Sequence, residues 1–558
     1  MPLSVRSVRE RVELFLYANG LRPAPMDRYV AVLDAEDRIV AGGGLDGDVV
    51  KGIAVADEVR SEGIANVLVS RLLSMASEAG FPQVKVFTKP ENKDIFQSLG
   101  FHVIAEAPKA VLLENGRGLE TYLRYLAGFR KEDGAAAGVI VMHADPFTLG
   151  HRFLVEEAAK QVDRLFVIPV REDRSRFSYA ERLAMMKAGC SAGVEVLEGS
   201  DYQISAATFP TYFLKDLSDA AETQMRLDLD LFGRHIAPAL GISVRFVGSE
   251  PADPLTARYN ALMQEILPAQ GIRVTEIPRL YDETGPVSAS RVRAALDAGC
   301  FPWRMTPAGT RPYLLAELMT RSLRMELDAP GKPGLVDRES RGAHKDMDYT
   351  LMAGSIDVIR RSFPLHWAEG LEPVALGKAV EADVLAFTGG VNTHRGAIFS
   401  QILTALSVLR MPEGADEACL SATIASLAAG IQPSESSHGG KAVRAYGVKG
   451  ALRMAQEGYR ELFSDWLPYY RTVRREPYAL QQTLLRIMSG LDDTCIIHRA
   501  GFERARAVRA EAAALLQTFS EEKLKEMNRR YCAEGISPGG SADMLALTLL
   551  VDSIFPQL

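Results

Sequence analysis

Residues 138–158 read GVIVMHADPFTLGHRFLVEEA: a short apolar run, a turn, and the opening of a helix. Residues 138–142 are apolar without alternation, the pattern of a strand buried on both faces of a sheet. After the turn, Thr148 and His151 stand three apart, about one helical turn, so both can face one anion at the helix N-terminus. Gly150 between them lets the helix begin against a ligand. The same alternation continues: RLFVIPV at 164–170, a helix from Ser178, VEVLEG at 194–199, a long helical stretch, SVRFVGS at 243–249, a helix from Pro254, IRVTEIP at 272–278, and a helix from Ser288. Strands separated by helices imply right-handed crossovers and a parallel doubly wound sheet, whose ligands lie beyond the carboxyl ends of the strands.

On either side the texture changes. Residues 1–130 begin with an amphipathic helix and continue with strands at 28–33, 39–45, 49–56 and 83–88 and a helix after Gly63, a small α+β domain. The doubly wound region spans 135–300. Residues 301–312, FPWRMTPAGTRP, hold three prolines without periodicity and read as a linker. From 313 to 558 apolar residues recur at helical spacing, as in AIFSQILTALSVLR, and predict an all-α domain.

A chain of 558 residues suits several domains, each able to bury its own core. With 64 Lys+Arg against 71 Asp+Glu the net charge is −7, without a long basic block, which argues against nucleic-acid binding. The first twenty residues are charged rather than a signal-type apolar run, and the most apolar stretch near the C-terminus is too short to span a bilayer. Five scattered cysteines without a CxxC pair read as reduced thiols, so a cytoplasmic location is expected, with no membrane association.

Three sets of residues carry chemistry. In the first region Arg60, Gly63 and Ala65 open a helix after a strand, where backbone N–H groups can approach a pyrophosphate. In the second, VSASRVR at 287–293 offers Ser288 as a helix N-cap, Ser290 beside it, and Arg293 to hold a triphosphate as charge grows on departing pyrophosphate. The third set is dispersed over five loops rich in Gly, His and Asp: 332–348, 389–396, 437–440, 492–494 and 537–543. They supply Lys332, Gly439, Gly440, Gly539 and Gly540 for phosphates, and Asp337, His344, Asp346, Asp348 and His394 as a pool for acid–base work. Adjacent Asp492 and Asp493 suit Mg²⁺ beside a triphosphate.

These motifs resemble known families. The 60–65 loop, with Leu99, Gly100 and Phe101 after the next helix, resembles GNAT-type N-acetyltransferases. No catalytic base or acid stands out there, so a CoA-like ligand is expected rather than acetyl transfer to an amine. Thr148, Gly150 and His151 with 287–293 resemble the paired motifs of the nucleotidyltransferase (HIGH) superfamily, with Val287 in place of Ile. Residues 1–300, including FSYAERLAMMKAG and VGSEPADPLTARYN, are similar to the [citrate (pro-3S)-lyase] ligase family, whose members carry Asn where His143 and Asp145 stand. The region after Pro312 resembles triphosphoribosyl-dephospho-CoA synthases.

What the resemblance implies is a bifunctional enzyme that serves citrate lyase. One half acetylates the thiol form of the lyase's acyl carrier subunit from ATP and acetate, releasing AMP and pyrophosphate. The other joins ATP to 3′-dephospho-CoA, releases adenine and makes the precursor of the prosthetic group, with Mg²⁺ beside the triphosphate. Two alternatives stay open: a pantetheine-phosphate-type adenylyltransferase with a helical appendage, and a non-catalytic scaffold that binds the carrier.

Overall fold

The computed structural model describes residues 3–59, 63–131, 134–172, 175–203, 220–250, 253–433 and 438–557. Arg60 therefore lies outside the described residues. The chain forms two compact units, 1–287 and 288–558. The first carries sheets with helices, and in the second every regular element among the described residues is a helix.

Strands β1 (Arg28–Leu33), β2 (Ile39–Asp46), β3 (Val49–Val55), β4 (Val84–Thr88), β5 (His102–Ala107) and β6 (Ala110–Asn115) form one sheet in the order β1-β2-β3-β4-β6-β5. The hairpin β5–β6 follows the junction at Leu99–Phe101, but its second strand has no counterpart in the sequence reading: buried Ala105, Leu112 and Leu113 give little alternation to read. Pairing is antiparallel except between β3 and β4, which run parallel and touch only at Val49–Lys85 and Val50–Val86. Gly63, at a φ of +69°, caps the helix Ile64–Glu78 with open space where a side chain would stand.

Strands β7 (Ala137–Met142), β8 (Arg164–Pro169), β9 (Val194–Val196), β10 (Val244–Gly248) and β11 (Arg273–Ile277) form a wholly parallel sheet in the order β11-β10-β7-β8-β9. The chain leaves β7 in one direction and returns to its other side at β10. The gap between their carboxyl ends is thus the topological switch point, where open parallel sheets bind ligands. Helices Gly118–Ala127 and Ala220–Leu231 join the core shared with the first sheet, and Asp230 accepts the Glu106 N–H at 2.8 Å.

In the second unit the long buried helices Arg311–Asp328, Arg395–Arg410 and Gly539–Ile554 pack on one another. The proline-rich stretch 301–312 is packed too. Phe301 donates its N–H to Ser553 at 2.9 Å and meets Trp303 edge-on, and Thr306 and Thr310 are buried. Prolines here shape a tight path over a core instead of an open tether.

Candidate active sites

At the switch point, the turn after β7 is built from the inside. The buried Asp145 carboxylate accepts the N–H groups of Arg176 and Phe177 at 3.2 and 3.0 Å, and His143 Nε2 lies 2.8 Å from Ser175 Oγ. Phe147 is fully buried and fits only because Gly189, 2.5 Å from its ring at the Cβ position, has no side chain. The fully buried Arg182 guanidinium donates to the carbonyls of His143 at 2.7 Å, Val170 at 3.0 Å and Phe177 at 3.2 Å, and to that of Glu172, fastening the turn to its neighbours. Sequence reasoning gave Arg182 no role. Its signal is a basic residue directly after the capping box Ser178–Glu181, on a helix face otherwise occupied by Met185, Met186 and Gly189.

The helix Leu149–Ala159 starts with a reciprocal cap. Thr148 Oγ1 accepts the His151 N–H at 3.3 Å, while His151 Nδ1 accepts the Thr148 N–H at 3.1 Å and lies 2.9 Å from Thr148 Oγ1. An accepting Nδ1 carries no proton, so in the neutral ring the proton sits on Nε2. Burial, Arg279 and His143 push His151 down to about 4, so the ring is neutral at pH 7. His151 therefore presents an Nε2–H donor beside a helix N-terminus. Thr148 is engaged in holding that ring, so of the pair expected to face one anion its hydroxyl is turned to His151. Gly150 is also needed for a different reason: a Cβ there would collide with the Val287 carbonyl, so the close approach is to backbone. Arg279 donates to Ser249 O at 2.7 Å and pairs with Glu250 after β10.

Ser288 begins the second unit and caps the helix Ala289–Asp297 by accepting the Arg291 N–H at 3.3 Å. Arg293 donates to Ser290 Oγ at 3.3 Å. Near the far end of this helix, Arg321 donates to Asp297 O at 3.2 Å.

The dispersed loops of the helical unit do converge. Gly334 packs on Ile536 O, His344 Nε2 lies 2.8 Å from Ser537 Oγ, Gly540 packs on Asp493, Gly396 packs on Asp543, and Gly439 approaches Thr494. Within this cluster several nominated residues are structural. Asp337 accepts the N–H groups of Gly331, Glu339 and Ser340 at 2.8–2.9 Å and staples its own loop. Asp348 caps the helix Tyr349–Ala368 through the Leu351 N–H and pairs with Arg341, while Asp346 is exposed. Lys332, fully buried, pairs with Glu326. Gly439 and Gly440 lie in the first turn of the helix His438–Tyr446, and Ser437 is outside the described residues.

The metal reading of Asp492 and Asp493 needs correction. Asp493 is buried and accepts five hydrogen bonds, from the N–H groups of Cys495, Ile496, Gly540 and Ser541 and from Ser541 Oγ, so its two oxygens cap two helix N-termini at once. Asp492 pairs with Arg509. Among the described residues no group of three or more His, Cys, Asp or Glu is placed to hold a metal ion.

Two histidines keep chemical capacity. His344 Nδ1 faces the Arg499 guanidinium at 3.1 Å, and burial and that charge push its pKa down to about 4. His394, 4% exposed, has Nδ1 2.9 Å from Ser355 Oγ, whose own hydrogen goes to Met352 O. With that hydrogen on Met352 O, Nδ1 is the donor to Ser355 and Nε2 is the unprotonated nitrogen, buried and without a hydrogen-bond partner among the described residues. Burial and the nearby Lys332 push His394 down to about 4, which keeps that lone pair free at neutral pH.

The geometry defines two kinds of site: a neutral donor at a helix N-terminus on a parallel sheet, and a buried acid–base cluster among helices. A family model described as the citrate lyase ligase C-terminal domain matches residues 137–310, and one described as ATP:dephospho-CoA triphosphoribosyl transferase matches 312–557. The [citrate [pro-3S]-lyase] ligase of Klebsiella pneumoniae is 43% identical over 293 residues, covering 51% of this chain and 85% of the relative. That of Escherichia coli strain K12 is 38% identical over 291 residues, covering 50% and 82%. A probable 2-(5''-triphosphoribosyl)-3'-dephosphocoenzyme-A synthase of Stutzerimonas stutzeri is 38% identical over 268 residues, covering 43% of this chain and 92% of the relative. A solved pantothenate synthetase from Thermus thermophilus superposes at a TM-score of 0.23 with 12% identity, over 36% of this chain and 73% of its own, too weakly to define the fold. The chain belongs to the citrate lyase ligase family through its N-terminal half and to the triphosphoribosyl-dephospho-CoA synthase family through its C-terminal half.

Proposed function

We infer that this chain is a bifunctional enzyme of citrate lyase activation, and the observation that carries the reading is the presence of both families in one polypeptide. In the ligase half, ATP and acetate react with release of AMP and pyrophosphate, and the acetyl group passes to the thiol of the lyase's acyl carrier subunit. The neutral His151 Nε2–H and the Leu149–Ala159 helix N-terminus donate to phosphate oxygens, and Arg293 stabilises charge on the leaving pyrophosphate. The reading of this half as a nucleotidyltransferase of the HIGH superfamily is supported by the β7 turn at the switch point and by Ser288 as a helix cap. For the first sheet, the β3–β4 pair that touches at one end only and the open Gly63 corner support a GNAT-type domain that accepts a CoA-like arm, with Ala65 in the first turn.

In the synthase half, ATP and 3′-dephospho-CoA combine at ribose C1′ with release of adenine. The His394 Nε2 lone pair takes the proton of the attacking 2′-hydroxyl. Mg²⁺ would accompany the triphosphate of ATP; Asp493 does not fit as its ligand, because both its oxygens already accept hydrogen bonds, and Asp492 has one oxygen paired with Arg509. Among the described residues no helix is long and apolar enough to cross a membrane, and all five cysteines are free thiols, in keeping with a cytoplasmic enzyme.

Product analysis tests this directly. The full chain should form AMP from ATP only with acetate and the deacetylated carrier, and adenine from ATP only with dephospho-CoA. ATP–pyrophosphate exchange that requires 4′-phosphopantetheine in place of acetate, or an absence of turnover despite nucleotide binding, would overturn it.

A further inference from the structure

Asp543 sits in the second turn of the helix Gly539–Ile554, and the two acids in that loop system differ sharply. Asp493 has five donors. Asp543 has one among the described residues, the Ala397 N–H. One Asp543 oxygen occupies the space where Gly396 lacks a side chain, which brings the carboxyl to the first turn of the helix that begins just after His394. Among the described residues the charged groups that act on it are two acids, Asp493 and Glu326, the latter paired with Lys332. Tyr459, whose buried hydroxyl has no hydrogen-bond partner among the described residues, lies in the field of the same carboxyl, as does Cys495. Burial and the two acids hold Asp543 well above the usual carboxylate range, which favours its protonated form. It remains partly accessible, as a group that meets a substrate must be.

We propose that Asp543 is the general acid of the synthase half, delivering its proton to a ring nitrogen of the departing adenine. The inference rests on the triphosphoribosyl-transfer reading. The C1′–N9 bond breaks with its electron pair passing to adenine, and the Asp543 proton neutralises that pair. The 2′ oxygen of dephospho-CoA bonds to C1′, and its proton goes to His394 Nε2. One proton leaves the hydroxyl and one arrives on adenine, so the two groups are returned to their starting states by a single net proton transfer between them. The paired assignment follows the rule that groups pushed to opposite protonation states divide the acid and base roles.

The alternative is that Asp543 only caps the helix Arg395–Arg410 through Ala397, and leaving-group chemistry separates the two. In Asp543→Asn of the full chain, adenine release from ATP with dephospho-CoA should fall about 10²- to 10⁴-fold. Release of the base from 8-azaadenosine triphosphate, which departs as a weaker base, should fall much less. The variant should unfold at the same or a higher temperature, since it removes a carboxyl whose charged form the fold disfavours. The wild-type chain should turn over the two nucleotides at comparable rates. Equal losses for both nucleotides, near wild-type adenine release in the variant, or a steep leaving-group dependence already present in the wild-type chain would each overturn the assignment. Absence of adenine release from the wild-type chain would instead overturn the synthase reading itself.

Discussion

The turn at 143–151 and the helical cluster reach the same end, a neutral histidine with one nitrogen committed, by opposite routes. In the α/β half, Thr148 and His151 set each other's geometry within four residues, and the strand-to-helix junction supplies the rest. In the helical half, His394 depends on Ser355, thirty-nine residues away in sequence, and His344 on Ser537 and Arg499, more than 150 away. A site closed by local hydrogen bonds carries its chemistry in its motif. A site closed by distant helices carries it only in the fold.

The sharpest break in that comparison is His151→Ala. It removes the Nε2–H donor and half of the cap, and acetate-dependent AMP formation should fall about 10²- to 10³-fold while adenine release is unchanged. Equal losses in both assays would show that the halves share more than a chain. Next, Asp493→Asn turns an amide –NH₂ toward buried N–H donors, and should cost the helical half about 3 kcal/mol in chemical denaturation with the ligase half unaffected. A stable, chelator-insensitive variant with lost activity would restore a metal role for this residue.

Acid should also separate the halves. His151, His344 and His394 are each held at about 4 in the fold, against about 6.5 when unfolded. Between those values the unfolded chain takes up protons that the native chain refuses. The stability they contribute is therefore complete above 6.5 and lost as the pH falls toward 4, by about 1.4 kcal/mol per pH unit per histidine. With two of the three, the helical half should lose stability faster, and His394→Gln should flatten its dependence. At the small end, Asp492→Asn breaks a half-exposed pair with Arg509 and should change stability by no more than about 1 kcal/mol, with adenine release near wild type.

Much of the first site was legible because the residues that build it are neighbours. The parallel sheet, the cap at Ser288 and the glycine at 150 follow from an apolar run, a capping residue and a missing side chain. The contact that Gly150 admits was not legible, since nothing in the residues around it announces the Val287 carbonyl. In the helical half the convergence of glycine-rich loops was readable, but individual roles were not. An aspartate that suits a metal also suits a helix N-terminus, and only the fold decides which N–H groups arrive. Asp337, Asp348 and Asp493 met backbone donors and became caps, while Asp543, which the reading left without a role, met other acids.

The helix Ala289–Asp297 has a consequence for how such a chain could be divided or recombined. It carries Arg293 of the ligase motif and falls within the ligase family match, yet it belongs to the compact unit of the synthase half, where Arg321 donates to its Asp297 carbonyl. A crossover or protease cut placed at the compact-unit boundary would hand the ligase's second motif to the wrong fragment. One placed after residue 310 would keep the motif but take away the arginine that steadies it. Neither seam leaves the whole motif and every contact of this helix on one fragment.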